Sequence, residues 1–189
     1  LMSRVPLVEA AHADARVEPL LARIDGAFGT IPNMFRAVAN SPAALQSMWG
    51  SFGAFATGSL GAALTEQIAV AVAERNRCRY CLAAHTALGA NAGLSGASLA
   101  AAQQARADDP RTEALLAFAV ELVEHRGQVD PRSVDGLRAH GWSDEQIVET
   151  VAQVALNLFT NYINIALGVP VDFPEVPFRE SAQRGGRDL

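Results

Sequence analysis

The stretch NRCRYCLAAHTALG, from Asn76 to Gly89, holds both cysteines of the chain and one of its four histidines. Cys78 and Cys81 are three positions apart, and His85 follows four positions after Cys81. On a helix, residues three or four apart share a face, so these side chains can line up in series. A thiol at a helix N-terminus meets unpaired backbone N–H groups and the positive end of the helix dipole. Both favour thiolate and lower the pKa from about 8.5. Arg77 and Arg79 flank Cys78 and push the same way. His85 can take the Cys81 proton directly or through water. Glu66 is an acid in an otherwise apolar segment. A lone buried carboxylate is costly, so it needs a partner, and the cysteine–histidine cluster is the nearest candidate. Tyr80 stands between the thiols, where its hydroxyl is available to a relay or a pocket wall.

Three kinds of site fit this pattern. One is a pair of inert core cysteines beside a satisfied histidine. The second is a zinc site built from Cys78, Cys81, His85 and Glu66, although structural zinc usually draws on a second CxxC or HxxxH pair, which the chain lacks. The third is a redox-active dithiol. The thioredoxin form of that chemistry needs a βαβ setting, and the flanking sequence does not supply one.

The elements that must position these residues read as helices throughout. Ser41 and Pro42 open a helix reaching about Phe55, and Thr65 is expected to cap the next, whose apolar residues are dense from Leu64 to Ala73. The CxxC segment reads as helix up to Gly89. A short capped helix follows in SGASLAAAQQARA, an amphipathic one in Thr112 to His125, and another ending at Gly141. Ser143 or Asp144 starts a last long helix to about Leu167, stopped by Gly168 and Pro170. No convincing strand appears, so the expected class is all-α. The boundaries read as an N-terminal segment 1–27, a helical domain 28–178 and a charged, Gly-rich, loose tail 179–189.

Shifting the chain by 79 positions lays residues 65–89 over 144–168 without a gap, with eight identities in 25 positions. The shared Glu-Gln-Ile start and Leu-Gly stop favour an internal duplication. Cys78, Cys81 and His85 become Asn157, Thr160 and Asn164 in the second copy. That copy is expected to keep the packing positions and to drop the reactive ones.

Composition narrows the rest. Half of the 189 residues are hydrophobic, enough for a core without disulfide staples. The net charge of -5, with no Lys/Arg block, argues against nucleic acid as a partner. No apolar run is long enough to cross a membrane, and no signal peptide is visible at the N-terminus. A cytoplasmic location is expected. His12, His125 and His140 read as surface residues, and Trp49, Trp142, Phe52 and Phe55 as packing.

Glu66, followed by Cys78-x-x-Cys81-x-x-x-His85 and the Leu88-Gly89 stop, resembles the signature of AhpD-like alkylhydroperoxidases in the carboxymuconolactone decarboxylase superfamily. GTIPNMFRAVANSPAALQSMW upstream and LRAHGWSDEQIVE downstream are similar to its peroxidase-related branch. The resemblance implies an AhpD-like helical fold assembled as a homo-oligomer, trimer or hexamer, and a thiol peroxidase activity. It implies that Cys81 attacks the peroxide, Cys78 resolves the sulfenic acid, His85 activates Cys81 and Glu66 joins a proton relay. It further implies an external dithiol donor, a lipoyl protein or a thioredoxin-like one, and no bound cofactor or metal. The best-known members carry a histidine between the cysteines, where this chain has Tyr80. A thiol-disulfide oxidoreductase and a redox-sensing oligomer are the alternatives. Muconolactone decarboxylation is not expected, because decarboxylases of the superfamily lack the CxxC pair.

Overall fold

The computed structural model describes residues 2–179 and contains nine α-helices, with no strand among them. In chain order they are α1 (Glu18–Phe28), α2 (Asn33–Val38), α3 (Pro42–Phe55), α4 (Ala62–Arg75), α5 (Arg79–Asn91), α6 (Gly96–Ala102), α7 (Pro110–Glu124), α8 (Pro131–Ala139) and α9 (Asp144–Leu167). The all-α expectation therefore holds. Ser41, Asp109 and Asp130 each cap a helix whose first residue is proline. Ser143 and Gln146 form a reciprocal capping box that starts α9.

Two boundaries differ from the sequence reading. No helix was expected before Phe28, yet Val17, Leu21 and Ile24 are fully buried along α1. Their helical spacing is visible in the sequence but diluted by the charges between them. α4 begins at Ala62, ahead of the expected cap at Thr65. Gly61 supplies the turn with a φ of 76°, open to glycine at little cost, and the Ala62–Leu64 run then propagates the helix from there.

α4 is the central element. Its residues Ile68 to Glu74 are all buried, and it packs against α5, α7 and α9. Burying a side chain such as Ile68 stabilises the fold by roughly 1.5–3 kcal/mol. α5 lies close on α4 because Gly89 has no side chain. A Cβ there would stand 2.7 Å from Leu99 Cδ2 and 3.5 Å from Glu66 Cβ. The packing anchors expected from the sequence are in place. Trp49 meets the Phe35 ring edge-on, and Trp142 is buried, donating from Nε1 to the Arg111 carbonyl.

After α9 a non-helical strap returns across the start of α5. The Phe173 ring meets Tyr80 edge-on at 5.8 Å, and Phe178 lies 4.0 Å beneath the Arg77 guanidinium. The carboxylate of Glu74, only 8% exposed, fastens this strap. It accepts from the Arg179 backbone N–H at 2.9 Å, from Gln103 Nε2 at 2.8 Å and from Arg77 Nη1 at 3.3 Å. Of the tail expected to be loose, Arg179 is held in this way. Residues 180–189 lie outside the described residues.

Candidate active site

The site begins where α4 ends. The Cys78 N–H bonds back to the Ala73 carbonyl at 2.9 Å, and Arg77 takes a φ of 57°. This is a Schellman-type helix stop with arginine where glycine is usual. It turns the chain so that Cys78 becomes the N-cap of α5, its sulfur accepting the Cys81 N–H at 3.3 Å. Cys81 is then one turn into the helix, and His85 a further turn along the same face.

Both cysteines are free thiols and almost wholly buried, 1% and 2% exposed. Their sulfurs are 2.6 Å apart and share a proton. Hydrogen bonding from Cys81 lowers the Cys78 pKa below the ordinary thiol range. Burial opposes this, and the backbone N–H groups of Cys81 and Tyr80 reinforce it. Cys81 moves the other way, pushed well up by burial and then by its neighbour Cys78. Hydrogen bonds from Asn164 and Thr160 pull it partly back. Of the two, Cys78 is therefore the sulfur that gives up its proton more readily, and Cys81 the one that holds it.

Glu66 and His85 form the second half of the cluster, with Oε2 to Nδ1 at 2.8 Å and side chains 16% and 12% exposed. Among the described residues no hydrogen bond joins His85 to either sulfur. Tyr80 points elsewhere. Its hydroxyl accepts the Met34 N–H at 3.1 Å and bonds to Asp172, and burial pushes its phenol far up. No group of three or more His, Cys, Asp or Glu side chains among the described residues is arranged to hold a metal ion. The four residues of the zinc alternative form two pairs instead.

The structure also brings in two residues that the sequence reading left out of the site. Asn164, on α9, places Nδ2 3.2 Å from Cys81 Sγ, and Thr160 reaches the same sulfur. The second repeat was expected to serve packing alone. Its positions equivalent to Cys81 and His85 instead face Cys81. A signal for this was present. Thr150, Gln153, Asn157, Thr160, Asn161 and Asn164 form a polar stripe at helical spacing, and every one of them is buried. A polar stripe on a buried helix face must have something to bond to.

Residues 42–124 match the model of the carboxymuconolactone decarboxylase family. The fold matches an alkylhydroperoxidase AhpD core, an uncharacterized peroxidase-related protein from Ralstonia eutropha JMP134. The TM-score is 0.83 at 25% identity, covering 91% of this chain and 93% of that one. The chain is thus similar to the carboxymuconolactone decarboxylase family over residues 42–124, and its fold is AhpD-like. Another peroxidase-related protein with this AhpD-like fold, from Silicibacter sp. TM1040, gives a TM-score of 0.75 at 22% identity, with 88% of each chain covered. A cysteine-to-alanine variant of the debrominase Bmp8, in complex with 2,3,4-tribromopyrrole, gives 0.76 at 20% identity, covering 91% and 92%. The AhpD-like fold is thus shared by proteins described by different chemistries. No curated protein matches the chain.

Proposed function

We propose that this AhpD-like protein is a thiol peroxidase that reduces organic hydroperoxides or hydrogen peroxide through a Cys78–Cys81 disulfide cycle. The observation that carries this is the pair of free sulfurs 2.6 Å apart, one turn from the Glu66–His85 pair. Proton exchange between the sulfurs puts thiolate on Cys81. Its sulfur attacks the terminal oxygen of the hydroperoxide, forming an S–O bond as the O–O bond breaks. The leaving alkoxide takes the proton now on Cys78. The Cys78 thiolate then attacks the sulfenic sulfur, closing the disulfide and expelling hydroxide. Hydroxide leaves as water with a proton delivered through Glu66 and His85. An external dithiol restores both thiols by exchange.

The burial of both sulfurs favours a small peroxide over a folded protein as oxidant. The cleft lined by Arg77, Arg79 and Glu175 to Phe178 adjoins the residues on either side of Cys78, and this is where the reductant approaches. Val148, Val151, Tyr162 and Ile165 are exposed along α9, which supports assembly as a homo-oligomer. No helix among the described residues is long and apolar enough to cross a membrane. The deciding experiment is peroxide consumption with dihydrolipoamide and with thioredoxin as alternative donors. Turnover with either supports the proposal. Disulfide exchange with a partner protein and no peroxide consumption replaces it with a thiol-disulfide oxidoreductase. A redox-dependent change of oligomer size without turnover replaces it with a sensor.

A further inference from the structure

The expected division of labour leaves Cys81 in a difficult position. It must become a thiolate in a site where burial opposes charge, and no hydrogen bond from His85 reaches it. A side chain from another element already does. Asn164 is 4% exposed, and its Nδ2 donates to Cys81 Sγ at 3.2 Å. Its Oδ1 is buried and has no hydrogen-bond partner among the described residues. An asparagine kept for packing alone would have both ends of its amide satisfied, because an unpartnered buried carbonyl is a standing cost. Thr160 also reaches that sulfur, but its single hydroxyl proton is divided between the sulfur and the Asn157 carbonyl at 3.0 Å.

We infer that Asn164 is a catalytic residue of the second repeat: its amide N–H holds the negative charge on the Cys81 sulfur, and its free carbonyl accepts the O–H of an incoming hydroperoxide. The first half concerns only the thiolate. The second rests on the peroxidase proposal and adds an orientation to it. An O–H held at Oδ1 presents the terminal oxygen to the sulfur that the same amide touches. Attack on that oxygen forms S–O and breaks O–O, as above, and the transferred hydroxyl stays against the amide while the alkoxide departs. The substrate class is then a peroxide with a free O–H, and a dialkyl peroxide is not a substrate.

The test uses the full chain carrying Cys78→Ser, so that Cys81 titrates alone. The surroundings of its sulfur stay fixed: residue 78 and the Glu66–His85 pair, Tyr80 with Asp172 from the strap, and Thr160 from α9. Thiolate absorbance is followed against pH with Asn164 intact, in Asn164→Ala and in Asn164→Asp. A hydrogen bond to a charged group is worth roughly one to two pH units, so both variants titrate at higher pH, Asp furthest because its carboxylate repels the thiolate. Sulfenic acid formation at neutral pH falls by about 10–100-fold, with the melting temperature checked alongside. With Asn164 intact, its side-chain amide signal by NMR moves along the same curve as the thiolate, a readout independent of whether a variant folds. An amide signal that ignores the Cys81 titration, or an unmoved curve in a folded Asn164→Asp, overturns the inference and leaves the peroxidase proposal standing. A moved curve in a protein whose wild type consumes no peroxide does the reverse. Equal rates with a hydroperoxide and its dialkyl analogue overturn the role of the carbonyl.

Discussion

The two copies of the repeat differ most where the chemistry lies. In the first, α4 stops at Arg75, Arg77 turns through a positive φ, and Cys78 caps a new helix. In the second, the equivalent residues Val154, Leu156 and Asn157 pass through the middle of one 24-residue helix. Asn157 there bonds back to the Gln153 carbonyl at 2.9 Å instead of capping anything. The break creates free backbone N–H groups beside a thiol, and the unbroken copy offers none at the same place. A reactive cysteine thus needs the interruption as much as it needs sulfur. The unbroken copy contributes differently, as a rigid rail that holds Asn164 against the sulfur of the other.

The largest effect should come from the thiols. Cys81→Ser is expected to abolish turnover and form no sulfenic acid. Cys78→Ser should form one per chain with peroxide and then stop. Sulfenic acid trapped only in Cys81→Ser would exchange the two roles. Next comes the acid. Glu66→Gln should lose about 10²–10⁴-fold in peroxidase rate with an unchanged melting temperature. Its repeat equivalent Glu145, exposed on α9, should tolerate the same change. Equal losses at both positions would erase the distinction between the copies.

Glycine at the equivalent positions 77 and 156 probes the break itself. Leu156→Gly should cost about 3–6 kcal/mol, from the lost core side chain together with a mid-helix glycine. Arg77→Gly relieves a strained φ while losing the Glu74 contact, so denaturant melts should place it near the wild type. A finer test is electrostatic. The Cys78 pKa is lowered chiefly by the donor on Cys81, so Cys81→Ala should raise it. Thiolate absorbance of Cys78 should then appear at higher pH than in the wild type, and no movement would remove the shared proton. The smallest effect concerns helix entry. Ser143→Ala should lower stability by about 1 kcal/mol through loss of the capping box, without touching the chemical step.

Much of this was legible in the residues. Helix starts marked by Ser41 and Ser143 were visible because capping and proline chemistry are local. The grouping of Cys78, Cys81 and His85 on α5 follows from spacing alone. Thr65 was misread as a cap because a glycine's freedom to take a positive φ leaves a weaker mark than a hydroxyl. α1 was missed because Glu18, Arg23 and Asp25 interrupt its apolar face. Asn164 was set aside for a different reason. Aligning the copies shows which residues replaced the reactive ones, but which faces of the copies meet is a tertiary fact. Tyr80 lies inside the motif, yet its hydroxyl is claimed by Met34 and Asp172, both far away in sequence.

The fastening of the strap by Glu74 has a consequence for the timescales on which parts of the chain open. The carboxylate takes donors from the α4–α5 turn, from Gln103 after α6 and from the backbone of Arg179. Three segments distant in sequence are therefore tied to one buried charge, and none can let go without leaving that charge short of partners. They should open together, as a single cooperative unit. The Arg179 amide, near the end of the chain, should then exchange its hydrogen as slowly as amides around Gln103, far more slowly than a terminal position would suggest.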